Sequence, residues 1–377
     1  MAADGTAPSW EAALREASSR AVEIEELRRL PADLADQLAD TGIFRLWVAS
    51  SCGGAEVDVQ AGLSAIEEAA YHDGSTGWCV MIANTTALMS GKLPPDHARA
   101  IFGDPRAVAG GFAIPNGTGM VEDGALRVTG HWAWGSGSSH CTSFGGGVRI
   151  VDHSGAASAL PDGSRTVFAY FDLDDVVFED TWHVAGLKGT ASTDYSVEGA
   201  LVPAGRWVAL DRRQVVVDTP LFNYPTLGAL ALGVAMVSVG LARRAIDELV
   251  ELADKVPQGS GRRLAERPAI QTVVARAEAA HRSSRAFIGE AVADTWAAIV
   301  ATGNADDEHR RALRRAAAHA TASCAEAVAA CYPAAGGTAV DERSPLRRVF
   351  RDVIVATQPA MVAARIFEPL GRRRYGL

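Results

Sequence analysis

Gly130-His131-Trp132-Ala133-Trp134-Gly135-Ser136-Gly137-Ser138-Ser139-His140 follows the run Val121-Glu122-Asp123-Gly124-Ala125-Leu126-Arg127-Val128-Thr129, whose Asp-Gly pair is a hairpin signal. The alternation after that turn is the period of a strand, and it places Trp132 and Trp134 on one face. Gly135 and Gly137 let a flat ligand approach the backbone with no Cβ in the way. The stretch therefore reads either as a buried aromatic strand or as the wall of a ligand site. Its neighbours along the chain decide which.

Outward from it, residues 107–112, 121–134, 142–151, 166–171, 176–184 and 195–202 share the period of two, separated by Asp-Gly, Pro-Asn-Gly and Pro-Asp-Gly turns. Upstream the period is helical: residues 10–29, a helix after Pro31 ended by Gly42, then 57–71, 75–88 and a short one after Pro95. Downstream it is helical again in four long segments, 227–255, 268–302, 306–331 and 344–370, the last with Ser344 as cap and Pro345 in its first turn. The expected fold is α+β and multidomain. An N-terminal helical domain spans residues 1–106, a central antiparallel, β-barrel-like domain 107–219 and a C-terminal four-helix bundle 220–377.

The formal charge of −9 is unevenly spread, about −14 over residues 1–240 and +5 over 241–377. The arginines of the second half recur within alanine-rich helical patterns, which fits a solvated or subunit-facing helix surface and not a nucleic-acid patch. Cys52, Cys79, Cys141, Cys324 and Cys331 have no zinc-ligand or CxxC spacing and read as free thiols of a reducing compartment, so a cytoplasmic location is expected and no metal. No secretory leader is legible at the N-terminus, and the apolar run 227–239 is shorter than a membrane span.

The strings Cys52-Gly53-Gly54, Ser75-Thr76-Gly77-Trp78, Gly130-x-Trp132-x-Trp134-x-Ser136-Gly137-x-x-His140, Gly186-Leu187-Lys188-Gly189-Thr190 and Phe350-Arg351-Asp352, in this order, resemble the acyl-CoA dehydrogenase superfamily over nearly the whole chain. Within it the chain is most similar to the two-component flavin-dependent monooxygenases. That resemblance implies a homotetramer, a flavin (FMN or FAD) supplied reduced by a separate NAD(P)H flavin reductase, and a small-molecule substrate. It implies cofactor binding by Trp134, Ser136, Gly137, Gly189 and Thr190, with Ser136 bonding the polar edge of the ring. A flavin needs an apolar wall and a few fixed polar contacts, which this set supplies.

Two departures bear on mechanism. Where the dehydrogenases carry a proton-abstracting glutamate, the matching position is near Pro359-Ala360, with no carboxylate. Where the monooxygenase branch carries histidines, the positions are Thr86 and Pro359, beside Asn84 and Gln358. The candidates left for chemistry are Ser136, His140, Asn84, Thr86 and Gln358, with His183 weaker. Pro359 is expected to kink the last helix. Readings as an acyl thioester dehydrogenase with a relocated base, or as a non-catalytic flavin- or ligand-binding homologue, stand beside the oxygenase one.

Overall fold

The computed structural model describes residues 10–256 and 261–376, so the first nine residues, where a leader was sought, lie outside it. The chain opens with α1 (Trp10–Ser19), α2 (Ala21–Leu27), α3 (Ala32–Asp40), α4 (Val59–His72), α5 (Gly74–Ala87) and α6 (Pro95–Phe102). The helix expected over 10–29 is two helices. They part at Arg20, whose φ of −100° and ψ of 13° leave the helical region and whose guanidinium pairs with Glu16, Glu23 and Asp33. Between α4 and α5 there is no loop: Asp73 ends one helix and caps the next, accepting from the Thr76 N–H at 2.8 Å and the Thr76 hydroxyl at 2.9 Å.

The sheet comprises β1 (Ala109–Glu122), β2 (Ala125–Gly135), β3 (Ser143–Val151), β4 (Thr166–Phe171), β5 (Val177–Glu179), β6 (Thr193–Val202) and β7 (Trp207–Ala209), in the spatial order β5-β6-β2-β1-β3-β4-β7. The barrel-like expectation needs two corrections. The sheet is not closed, and β1 pairs with β3 in parallel while the other pairings are antiparallel. Pro115-Asn116-Gly117 is also not a turn. β1 runs through it with a register shift between Phe112 and Gly117, an irregularity in which a proline's missing N–H is tolerated.

Trp132 and Trp134 do not share a face. The register of β2 on β6 jumps between Trp132 and Gly135, and Trp134 takes the left-handed backbone at φ 64°. The jump reverses the alternation, leaving Trp132 fully buried and Trp134 59% exposed. Trp132 stacks on Tyr195 at 5.2 Å and donates its indole N–H to the Gly147 carbonyl at 2.9 Å, so it is the aromatic core residue. Glycine is required around it, since a Cβ on Gly146 would lie 2.5 Å from the indole.

The chain ends in α7 (Pro220–Asn223), α8 (Thr226–Ala253), α9 (Pro268–Thr302), α10 (Asp307–Ala334), α11 (Pro345–Ala356) and α12 (Phe367–Arg374), with α8 to α11 as the expected four-helix bundle. α8 is long and apolar enough to cross a membrane, yet 78% of its most apolar window is buried inside the protein, which makes it the core helix of the bundle. It meets α4 at Gly240, where a Cβ would stand 2.3 Å from the Glu67 carbonyl. The kink expected at Pro359 is absent, because the helix finishes before it. α11 stops at Ala356, and the chain reaches α12 through a 3-10 turn at Ala364–Ile366. Proline disfavours helical backbone in the residue before it and brings no N–H of its own, so 359 ends the element.

Candidate functional site

α5 is buried along nearly its whole length, and its partly open positions are Trp78, Ile82 and Thr86, four residues apart and so on one face. The residue at the top of that stripe is tied to the sheet: Trp78 Nε1 donates to Ser136 Oγ at 3.0 Å. Ser136 follows the exposed Trp134, whose ring meets Phe112 edge-on at 5.8 Å. Trp78, Ile82, Trp134 and Phe112 thus offer an apolar, largely aromatic surface beside a buried serine.

Behind that surface lies loop 186–192, which the structure joins to the tryptophan segment. Ser136 Oγ bonds Ser192 Oγ at 2.6 Å, Ser192 Oγ bonds Thr190 Oγ1 at 2.7 Å, and Thr190 Oγ1 donates to the Leu187 carbonyl at 2.8 Å. The backbones are stitched as well: the Gly137 N–H donates to Thr190 O at 2.9 Å, and the Ser138 hydroxyl to Ala191 O at 2.7 Å. Among the described residues six non-glycines have positive φ, and Trp134 (64°), Leu187 (51°) and Ala191 (45°) fall in these two segments. Left-handed backbone is unfavourable for such side chains and persists where the surroundings over-determine it, as at ligand sites.

What over-determines it here is α11. The Leu187 N–H donates to Asp352 Oδ1 at 2.6 Å, and a Cβ on Gly186 would stand 2.3 Å from the Arg351 carbonyl. Glu25 on α2 receives Lys188 at 3.4 Å and also pairs with Arg351. Burial pushes the Asp352 carboxyl up to about 7, with nearby Asp73 raising it further and the Leu187 N–H and Arg348 opposing. Asp73 is likewise raised by burial.

The sequence candidates divide accordingly. Trp134 is exposed at the wall, and Ser136 sits at its edge. Thr190 lies behind them as a link in the hydroxyl chain. Gly137 (φ 82°) closes the turn through its carbonyl, which accepts from the His140 N–H at 3.0 Å. Gly189 is packed against the helical domain: its N–H donates to Ser75 Oγ at 3.0 Å, and a Cβ there would lie 2.1 Å from Ile24. Asn84 is corrected from catalytic to structural. It is fully buried, accepting from the Trp47 N–H at 3.2 Å and donating to Ile43 O at 2.8 Å and Val80 O at 2.9 Å.

His140 stacks on Phe44 at 5.6 Å, its Nδ1 is sealed from water without a partner, and burial holds its pKa down to about 4. Uncharged at physiological pH, it is a weak proton acceptor, and it lies outside the hydroxyl chain. Gln358 is exposed past the end of α11, its amide donating to Thr357 Oγ1 at 2.8 Å. His183 lies on the outer side of the loop, with Arg28 3.2 Å from its ring nitrogens. Thr86 alone of the histidine-replacing positions faces the open stripe.

Sequence reasoning missed Trp78, Ser192 and Asp352 as members of the site. Thr190 and Ser192 alternate with period two, which could have placed both hydroxyls on one side. That Asp352 reaches a loop 165 positions earlier had no local signal.

These residues fit a flavin: an exposed aromatic wall, a serine at its edge with a lone pair left over, and strained backbone held from behind. Family models described as "Acyl-CoA dehydrogenase, N-terminal domain" and "Acyl-CoA dehydrogenase, C-terminal domain" match residues 11–91 and 232–363. An indole-3-acetate monooxygenase of Pseudomonas putida is 30% identical over 373 residues, 98% of this chain and 94% of its own length. "Flavin-dependent monooxygenase, oxygenase subunit HsaA" of Rhodococcus jostii is 29% identical over 352 residues, covering 88% of each chain. The crystal structure of 3-HSA hydroxylase from Rhodococcus sp. RHA1 superposes with a TM-score of 0.87 at 26% identity, covering 98% of this chain and 96% of that one. The fold and site are those of the acyl-CoA dehydrogenase superfamily. Within it, this chain belongs to the flavin-dependent monooxygenases, enzymes that work with reduced flavin.

Proposed function

We propose that this chain is the oxygenase component of a two-component system. It takes FMN or FAD, reduced by a separate NAD(P)H flavin reductase, and transfers one oxygen atom of O2 to an electron-rich centre of a small, largely apolar substrate. The single observation that carries the substrate class is the stripe Trp78, Ile82, Thr86: it is the open side of an otherwise buried helix, it begins at the flavin wall, and it bears no charge. A neutral substrate with one polar substituent matches an indole, an aliphatic side chain and a single hydroxyl. The flavin supplies the oxygen-activating chemistry, and the residues of this chain orient the reactants and keep water out.

The acyl thioester dehydrogenase reading has less support. α11 ends at Ala356, and its buried carboxylate, Asp352, is bonded to the Leu187 N–H. A homotetramer in the cytoplasm completes the proposal. Open space around Gly336 and Gly337, exposed Val250 and Val300 on α8 and α9, and five free thiols are its motives. The test is oxygen uptake with a flavin reductase, NAD(P)H and a panel of neutral aromatic and heteroaromatic compounds. Substrate-dependent uptake with an oxygenated product is expected; hydrogen peroxide as the sole product across the panel would overturn the reading. Size-exclusion chromatography with light scattering reads the oligomer.

A further inference from the structure

Which redox form a flavin site favours depends on which of its polar contacts donate and which accept. At Ser136 this choice is made by its neighbours. Thr190 Oγ1 donates to the Leu187 carbonyl at 2.8 Å, and a hydroxyl has one proton and two lone pairs. The 2.7 Å bond between Thr190 Oγ1 and Ser192 Oγ must therefore be donated by Ser192, and the 2.6 Å bond between Ser192 Oγ and Ser136 Oγ by Ser136. At the far end Trp78 Nε1, a donor that cannot accept, donates to Ser136 at 3.0 Å. The chain is polarised along its length, from an indole N–H to a carbonyl. Ser136 keeps one vacant lone pair and no free proton. Ser136, Thr190 and Ser192 are all buried, so bulk water does not scramble the arrangement.

Two-electron reduction of a flavin takes up protons as well as electrons, and it turns the central ring nitrogen from a hydrogen-bond acceptor into an N–H donor. An acceptor facing that nitrogen favours the reduced form; a donor facing it favours the oxidised form. We propose that the hydroxyl chain selects the redox form of the flavin, with Ser192 as the positioning residue that holds Ser136 as an acceptor and so makes the site prefer reduced flavin. The inference rests on the flavin lying at the Trp134–Ser136 wall with that nitrogen toward Ser136.

The experiment is anaerobic titration of the full-length protein with oxidised and with reduced FMN and FAD, giving the ratio of dissociation constants, oxidised over reduced. Ser192→Ala leaves the Ser136 proton without its acceptor and free to turn to the ligand. The ratio is expected to fall at least about tenfold, which lowers the midpoint potential of bound flavin by about 30 mV for this two-electron couple. Ser192→Thr keeps the hydroxyl and is expected to keep the ratio within about twofold. Thr190→Val, close in shape, frees the Ser192 proton to point at Ser136, so the ratio falls in the same direction by a smaller factor; it serves if Ser192→Ala does not fold. An unchanged ratio in the Ala and Val variants with flavin still bound overturns the selector while leaving the flavin site standing. Equal falls in the Ala and Thr variants overturn it too. If the wild-type protein binds neither form, the flavin wall itself is wrong and the selector goes with it.

Discussion

Loop 186–192 and segment 357–366 are both irregular stretches attached to α11, one through the side chain of Asp352 and the other through the chain itself, yet they are built in opposite ways. In the loop the polar groups at the wall have partners inside the protein: Leu187 N–H on Asp352, Gly189 N–H on Ser75, Thr190 and Ser192 in the hydroxyl chain. In the later segment Gln358 is exposed, and its amide turns back on Thr357 and the Ile354 carbonyl. The first is a scaffold held in strained backbone by burial; the second is anchored to the core through Val362 while Gln358 faces solvent. Loop 186–192 is thus pre-organised within one chain, whereas residues 357–363, past the end of α11, carry neither a carboxylate nor a histidine.

The largest effect is expected where the loop meets α11. Gly186→Ala places a methyl group against the Arg351 carbonyl, backbone that has no side chain to move. A loss of about 3 kcal/mol in denaturant unfolding is expected, together with weaker flavin binding; a variant of unchanged stability would mean that α11 does not hold the loop. Asn84→Ala comes next. It strands the Trp47 N–H and the Ile43 carbonyl in the core, at about 2 kcal/mol, while turnover per folded molecule stays within twofold. Lost turnover at full stability would restore Asn84 to the chemistry.

The Asp352 carboxyl gives the comparison a pH axis. Its folded value of about 7 lies above its ordinary value of 3.8, so the folded state binds the proton more tightly. Its contribution is most favourable below about pH 4 and is lost as pH rises through the window from 4 to 7. Asp352→Asn keeps an acceptor for the Leu187 N–H without the buried charge, and should flatten that decline by about 1–2 kcal/mol, with Asp73 left to account for the remaining slope. An identical pH profile for both proteins, followed by thermal unfolding, would detach Asp352 from the effect.

Trp134→Ala removes an exposed ring, so stability should hold within about 0.5 kcal/mol while flavin affinity falls about tenfold, near 1.4 kcal/mol. Unaltered flavin titration would move the cofactor off this wall. The smallest effect is expected at Gln358→Ala, with stability within about 0.5 kcal/mol and kcat/KM within twofold. A large drop there would show that the exposed segment is ordered by substrate or by another subunit.

The period of the sequence was enough to separate helices from strands and to find the bundle, because a single buried face imposes 3.6 or 2 residue spacing over long stretches. Where one residue departs from its neighbours the reading failed: at Arg20, at the bulge after Phe112, and at Trp134, each a local irregularity that periodicity averages away. At Pro359 the apolar pattern continues past the residue and spells a kinked helix, although the helical backbone stops at Ala356.

For the site, the sequence by itself determined which residue types are present: two tryptophans, a run of hydroxyls and glycines, and no carboxylate or histidine at the positions where related enzymes place a base. It also determined the family, through the order of its motifs. Only the tertiary structure decided which of these face a ligand. Trp132 and Trp134 are two residues apart, and one is core while the other is surface, because a bulge turns the strand over. Ser136 has a direction to its hydrogen bond only because Trp78 and Leu187, 109 positions apart, sit at the two ends of one chain of hydroxyls, a relation between distant segments that no local pattern encodes.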